Sequence, residues 1–307
     1  MRAFIFPGQG SQAVGMGAVL AAASRAAKDV FDEVDEALGQ NLFRLMREGP
    51  DDELKLTENA QPAIMAHSIA VLRTMGVRVG GVASFVAGHS LGEYSALCAA
   101  GSFDLATTAK LLKLRGQAMQ QAVPVGEGAM AALLGADLAL AQKIAETAAE
   151  GEVCTVANDN DPSQVVISGQ KSAIDRAIAI VKDMGAKRAV PLPVSAPFHC
   201  PLMQPAAEAM RDALSHVVVE QPAVPVFANV TAQPESDPDT IRNQLVEQVT
   251  GMVRWRESVA NMFDAGAHEF VEIGGKVLGA MVKRIVPDAK VTSVVTIEDV
   301  ETLAKEF

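Results

Sequence analysis

Aromatic side chains are scarce here. One Trp, one Tyr and eleven Phe make up only 4% of 307 residues. With 49% hydrophobic residues a sizeable core is available, so that core has to be aliphatic. Cysteine is scarce too. Cys98, Cys154 and Cys200 are an odd number without metal-ligand spacing, which argues against a disulfide framework and reads as reduced thiols of a cytosolic protein. Basic charge is in deficit. A net charge of −11 argues against general nucleic-acid or anionic-membrane binding, while leaving room for a local basic patch. No run reaches the roughly 18 apolar residues of a membrane span. Residues 2–6 enter a strand-like run directly, without the basic and apolar regions of a secretory signal, so a cytoplasmic location is expected. Repeats and low-complexity tracts are lacking, and the length suits one large or two modest domains.

What is present centres on residues 84–100. An apolar run, Val82 to Ala87, stops at Gly88, and a helix-competent stretch begins at Leu91. Between them Gly88-His89-Ser90-Leu91-Gly92 fits G-x-S-x-G. In a strand–turn–helix context this pattern is a nucleophile elbow: the glycines relieve crowding around a serine held on a tight turn. The amide after the serine, that of Leu91, can then point at a developing oxyanion. A glycine-rich turn with a purely structural role is the alternative.

The chain opens with a buried strand, Arg2–Phe6, and a turn, Pro7 to Gln12. Gly8, Gly10 and Ala13 also match the loose dinucleotide fingerprint G-x-G-x-x-A. That reading needs an acidic residue ending a second strand about 20 positions on. Asp29 and Asp32 have the distance but lie in a stretch of helical periodicity, Arg25–Leu38. Helices follow, the clearest from Asn59 to Met75 with Pro62 in its first turn. The helix after the elbow, Asp104 to Gln121, places Arg115 on its apolar face beside Leu111, Leu112, Ala118 and Met119. A buried guanidinium needs an anionic partner or a full set of acceptors. Either an internal carboxylate pairs with it, or it is a fork for a substrate carboxylate.

From Gly126 to Ser195 the pattern becomes β-α-β-β-α-β, with Asp137 as a helix N-cap and Asn158-Asp159-Asn160-Asp161-Pro162 joining two short strands. The expected fold is α/β. A large α/β-hydrolase-like domain with a parallel sheet (residues 1–125 and 196–307) carries an inserted small ferredoxin-like domain (residues 126–195). The crevice between them is the expected ligand site. His199 lies in a Pro-bounded loop at the junction, whereas His67 and His216 fall in predicted helices and His268 begins a strand. Cys200 beside it lacks a separate base, and Ser90 is better framed as nucleophile. Strands at Val224–Val230, His268–Ile273 and Val291–Thr296 alternate with helices over the remainder.

Phe6-Pro7-Gly8-Gln9-Gly10-Ser11-Gln12, the elbow with Glu93-Tyr94, Arg115-Gly116 with Met119-Gln120, and Pro197-Phe198-His199-Cys200 occur in that order. Together they resemble the malonyl-CoA:acyl carrier protein transacylases of fatty-acid synthesis, over essentially the whole chain. The resemblance implies that Ser90 becomes a malonyl ester and His199 acts as general base. It implies an oxyanion hole from the amides of Gln9 and Leu91, and a substrate carboxylate on Arg115. Phe198 would disfavour an α-methyl group. Asn158 and Asn160 would face the substrate, and a backbone carbonyl, here that of Arg254, would orient His199. It further implies malonyl-CoA and acyl carrier protein as partners, coenzyme A only as part of substrate and product, no metal, no nucleic acid or membrane, and a monomer. Gly274-Gly275-Lys276 departs from the Gly-Pro-Gly of many relatives, and Glu272 is the one tempting third triad acid. An acidic carrier would need a local patch on this acidic chain, with Lys187, Arg188, Lys276, Lys283 and Arg284 as candidates.

Two other enzyme readings stay open. One is a polyketide or malonate-decarboxylase malonyltransferase. The other is a serine esterase or thioesterase, which would usually carry its acid between Ser and His. From another class, a dinucleotide-binding protein would use Gly8 and Gly10.

Overall fold

The computed structural model describes residues 1–306. Ten strands form two sheets: β1 Arg2–Phe6, β2 Phe85–Gly88, β3 Gly128–Leu134, β4 Cys154–Asp161, β5 Gln164–Gln170, β6 Arg188–Pro191, β7 Val226–Phe227, β8 Pro234–Glu235, β9 Glu269–Ile273 and β10 Lys290–Val294. The first sheet has the order β10-β9-β1-β2-β7-β8 and is parallel except for the short β7–β8 pair. Central strand β1 shows why a parallel sheet reads as a continuous apolar run. Phe4 and Phe6 enter one core, with the helix Thr57–Met75. Ala3 and Ile5 enter another, with Trp255, Val259 and Met262. The helix Thr57–Met75 is buried nearly all round, between the helices Arg25–Leu38 and Leu105–Gln121.

The second sheet is built wholly from residues 128–191, in the antiparallel order β4-β5-β3-β6. The helices Leu138–Ala149 and Lys171–Ile180 pack on it over a separate aliphatic core. Asp137 caps the first of these, its side chain accepting the Leu140 amide.

Asn158–Asp161 is not the connection expected from its composition but the second half of β4. Polar residues stay in a buried strand here because every charge finds a partner. The amide of Asp159 bonds the Val253 carbonyl at 2.9 Å, and the Val253 amide bonds the Ala157 carbonyl at 2.8 Å. Asp159 pairs with Arg256 and Asp161 with Arg284, each at 2.8 Å. These contacts fasten the second sheet to the helices that flank the first.

The predicted strand Val224–Val230 shrinks to Val226–Phe227, which pairs with an unanticipated β8. Asp29 and Asp32 lie within the helix Arg25–Leu38, where they pair with Arg25 and Lys28 one turn back. They end no strand, and this removes the acidic residue that the dinucleotide reading needs. Among the described residues, no helix is long and apolar enough to cross a membrane.

Candidate active site

The site forms where β1 and β2 end side by side. Their parallel register pairs Phe6 with Gly88, and the His89 amide bonds the Phe6 carbonyl at 3.0 Å. The loop after β1 is thereby held against the turn after β2, at the carboxyl edge of the sheet where α/β folds bind ligands. Ser90 sits on that turn with φ 54°, a left-handed conformation rare for a residue with a side chain. The turn closes so tightly that a Cβ on Gly88 would lie 1.9 Å from the Gly92 carbonyl, and one on Gly92 would lie 2.3 Å from that of Phe6. Both positions therefore need glycine. The helix Gly92–Ala99 follows at once, so the Leu91 amide sits at a helix N-terminus.

Ser90 Oγ lies 2.7 Å from His199 Nε2. His199 Nδ1 lies 2.9 Å from the main-chain carbonyl of Gln248. A carbonyl can only accept, so Nδ1 carries the proton and Nε2 is left to accept from the serine hydroxyl. Burial, and secondarily the positive charge of Arg115, push the His199 pKa down to about 3, so the ring is a neutral base at ordinary pH.

The carbonyl that orients His199 is thus Gln248's, not Arg254's. Gln248 stands in the last turn of the helix Pro238–Thr250, where carbonyls have no partner further along the helix. The Arg254 carbonyl starts the next helix and already accepts the Ser258 amide at 2.9 Å. The Arg254 side chain pairs with Glu257.

A cavity of about 420 Å³ opens over these groups, and Gln9, Ser90, Leu91, Arg115, Asn158, Phe198 and His199 all line it. Among the described residues, neither the Gln9 nor the Leu91 amide is taken by a protein acceptor. Asn160 is not in the wall. It is buried behind it, with Oδ1 2.8 Å from His89 Nε2.

Arg115 is 1% exposed. Its Nη1 donates to Gln61 Oε1 at 2.7 Å, and its Nη2 donates to Gln248 Oε1 at 2.8 Å and to Ser90 Oγ at 3.2 Å. Among the described residues no carboxylate forms an ion pair with it. Its immediate acceptors are neutral, and burial lowers its pKa.

Gln61, Asn229 and Gln248 escaped sequence reasoning. Asn229, just beyond β7, clamps the elbow: Oδ1 accepts the Ser90 amide at 2.8 Å and Nδ2 donates to the Gly88 carbonyl at 2.7 Å. The one available signal was a polar residue ending a strand or standing within a buried helix. Glu272 is not a third triad member. Its two oxygens accept the amides of Val277, Leu278 and Gly279 at 2.8–2.9 Å and so cap a helix.

Burial pushes the Cys98 and Cys154 thiols up to about 11 and raises Cys200 as well, which leaves no thiolate to compete with Ser90. Among the described residues no cluster of three His, Cys, Asp or Glu could hold a metal ion. Of the basic candidates for docking, Arg284 is committed to Asp161, Lys283 to the Pro287 and Ala289 carbonyls, and Lys276 faces Asp299 at 3.6 Å. Lys187 and Arg188 are exposed at the start of β6.

The Acyl transferase domain model matches residues 3–297. The malonyl CoA-acyl carrier protein transacylase of Escherichia coli K12 is 47% identical over 285 residues, 92% of each chain. The crystal structure of an acyl-carrier-protein-S-malonyltransferase from Bartonella henselae superposes with a TM-score of 0.97 at 53% identity, over 100% of this chain and 99% of that one. A malonyl-transacylase solved in complex with a type II polyketide acyl-carrier protein superposes with a TM-score of 0.96 at 40% identity, over 99% of both chains. A serine and a neutral histidine in contact at the carboxyl edge of a parallel sheet, together with a match over nearly the whole length, establish that the chain belongs to the acyl transferase family.

Proposed function

We propose that this acyltransferase moves malonyl groups from coenzyme A to the phosphopantetheine thiol of an acyl carrier protein, in fatty-acid synthesis. The observation that carries the reading is Arg115. A buried cation whose protein partners are neutral amides and the nucleophile itself is matched to an acyl group bearing its own carboxylate. The malonyl thioester places that carboxylate on Arg115 and its carbonyl against Ser90.

His199 Nε2 takes the hydroxyl proton as Oγ attacks. The amides of Gln9 and Leu91 stabilise the oxyanion. The imidazolium gives its proton to the departing coenzyme A thiol, leaving a malonyl ester on Ser90. The carrier thiol then repeats the steps in reverse, with His199 again as base. The substrate carboxylate offsets the positive charge that depresses His199, so binding of the correct acyl group itself raises the basicity of the catalytic ring.

Phe198, in the cavity wall, excludes an α-methyl branch, and Asn158, also in the wall, meets the acyl group. Asn160 acts on the substrate only through His89. Lys187 and Arg188 receive the acidic carrier. We also take residues 126–195 as a ferredoxin-like insertion in an α/β-hydrolase-like domain formed by residues 1–125 and 196–307. The strand order β4-β5-β3-β6 and the separate core over that sheet support this division. The reaction needs no resident cofactor or metal, and cytoplasmic, monomeric function fits it.

The test is intact-protein mass spectrometry after brief exposure to malonyl-CoA. An adduct of about +86 Da on the wild type, absent from Ser90→Ala and discharged by carrier protein, is expected for a malonyl-serine ester. Free coenzyme A without an adduct would instead identify a hydrolase.

A further inference from the structure

We propose that Glu93 is the positioning carboxylate of this site. Through one side-chain amide, that of Gln248, it fixes both the guanidinium of Arg115 and the carbonyl that holds His199. The proposal rests on the malonyl-transfer reading for what Arg115 binds.

Glu93 is 2% exposed, in the first turn after the elbow, and it does not line the cavity. Its Oε2 accepts Gln248 Nε2 at 2.7 Å and the Asn229 amide at 3.1 Å. Gln248 Nε2 also donates to the Ser90 carbonyl at 3.0 Å, while Gln248 Oε1 accepts from Arg115 at 2.8 Å. A carboxylate only accepts and a guanidinium only donates. An amide between the two has one orientation that satisfies both, and Glu93 enforces it. Residue 248 is then pinned by its side chain to Glu93, Ser90 and Arg115, and its main-chain carbonyl is presented to His199 Nδ1 at 2.9 Å. The second branch runs through Asn229, whose side chain clamps Ser90 and Gly88. Glu93 thus stands one residue away from each reacting group and touches none of them.

The choice of residue supports this. A carboxylate buried against neutral partners is a costly way to fill space, and burial pushes its pKa up to about 7. Of the charged groups near it, Arg115 is the one cation that favours its ionised form. A neutral side chain would pack here more cheaply but would remove the charged acceptor that holds Gln248 Nε2 alongside the Ser90 carbonyl. The site has no acid on His199 itself. The acid acts on the element that carries the carbonyl.

The experiment compares wild type, Glu93→Gln and Glu93→Asp. Two readouts are used. One is the rate of Ser90 acylation by malonyl-CoA against acetyl-CoA. The other is solvent exchange of the His199 Nδ1 proton in 15N-histidine-labelled protein, which needs no substrate. In Glu93→Gln, malonyl acylation is expected to fall about tenfold more than acetyl, and the Nδ1 proton to exchange about tenfold faster, the scale of one lost charge-assisted hydrogen bond. Glu93→Asp keeps a carboxylate acceptor facing Gln248 and is expected to hold the malonyl-to-acetyl ratio within about threefold of wild type. An unchanged ratio together with an unchanged Nδ1 proton in Glu93→Gln overturns the proposal. So does an equal loss for both acyl groups in Glu93→Gln that Glu93→Asp shares. If the wild type takes no malonyl, the function reading fails by itself, and the Nδ1 proton still decides the role of Glu93.

Discussion

On the proposed function, replacing Arg115 by Ala separates recognition of the acyl carboxylate from the chemistry at Ser90. The guanidinium is fully buried, so a carboxylate bound to it is desolvated as well. Removing one partner of such a pair costs about 3–5 kcal/mol, because the other charge is left buried and unpaired. At about 1.4 kcal/mol per decade, the malonyl rate should fall by a factor of about 10² to 4 × 10³. Acetyl-CoA has no carboxylate to lose. Its acylation loses only the Arg115–Ser90 contact at 3.2 Å, and His199 is relieved of a positive charge that lowers its pKa. A change of less than about tenfold is therefore expected for acetyl, of the order of one ordinary hydrogen bond. The variant also strands Gln61 Oε1 and Gln248 Oε1, so its thermal midpoint will drop and foldedness must be checked first. The assay is stopped-flow or quenched acylation of Ser90 by each thioester, with kcat/KM compared. Equal losses for malonyl and acetyl in a folded variant would refute the carboxylate role and leave Arg115 as a structural cation.

Three further outcomes follow from the same geometry. Phe198→Ala should raise the methylmalonyl-to-malonyl ratio of kcat/KM by about tenfold, the usual scale for accommodating one methyl group; an unchanged ratio would place the α-carbon elsewhere in the cavity. Gly88→Ala should prevent acylation and lower stability severely, because its Cβ would meet backbone atoms of Gly92 at 1.9 Å, and a stable, active variant would contradict the elbow geometry. His199 is neutral in the fold, with a pKa of about 3 against about 6.5 in the unfolded chain. The unfolded state therefore binds more protons between these values, so this contribution is full above about pH 6.5 and is lost as pH falls toward 3, at about 1.4 kcal/mol per pH unit. His199→Gln should lose less stability than wild type between pH 6.5 and 4 in chemical denaturation, and parallel curves would show that the ring is not buried as a neutral base.

The elements of this site and the meeting of Ser90, His199 and Arg115 within it were legible because they belong to side-chain patterns. Ser90 is marked by glycines that only a tight turn requires. Arg115 is marked by its place on an apolar helix face, and His199 by a loop at the junction between two patterns. What stayed illegible is carried by backbone atoms or by neutral polar residues. The carbonyl holding His199 left no side-chain trace, and assigning it to Arg254 placed it at a helix N-terminus, where carbonyls are already used within the helix. A free carbonyl belongs at a helix C-terminus, which is where Gln248 stands. Asn158–Asp161 misled for a related reason. Composition marks four polar residues as a loop, whereas pairing with β5 makes them a strand and Val253, Arg256 and Arg284 satisfy their polar groups. Both features obey a simple rule of hydrogen-bond and charge satisfaction. The last-turn carbonyls of each predicted helix have to find acceptable donors, and paired acids in an alternating stretch have to find cations. Those groups are satisfied at the end of the helix Pro238–Thr250, where Gln248 meets His199, and on the cations of the two helices that follow it, Arg256 and Arg284.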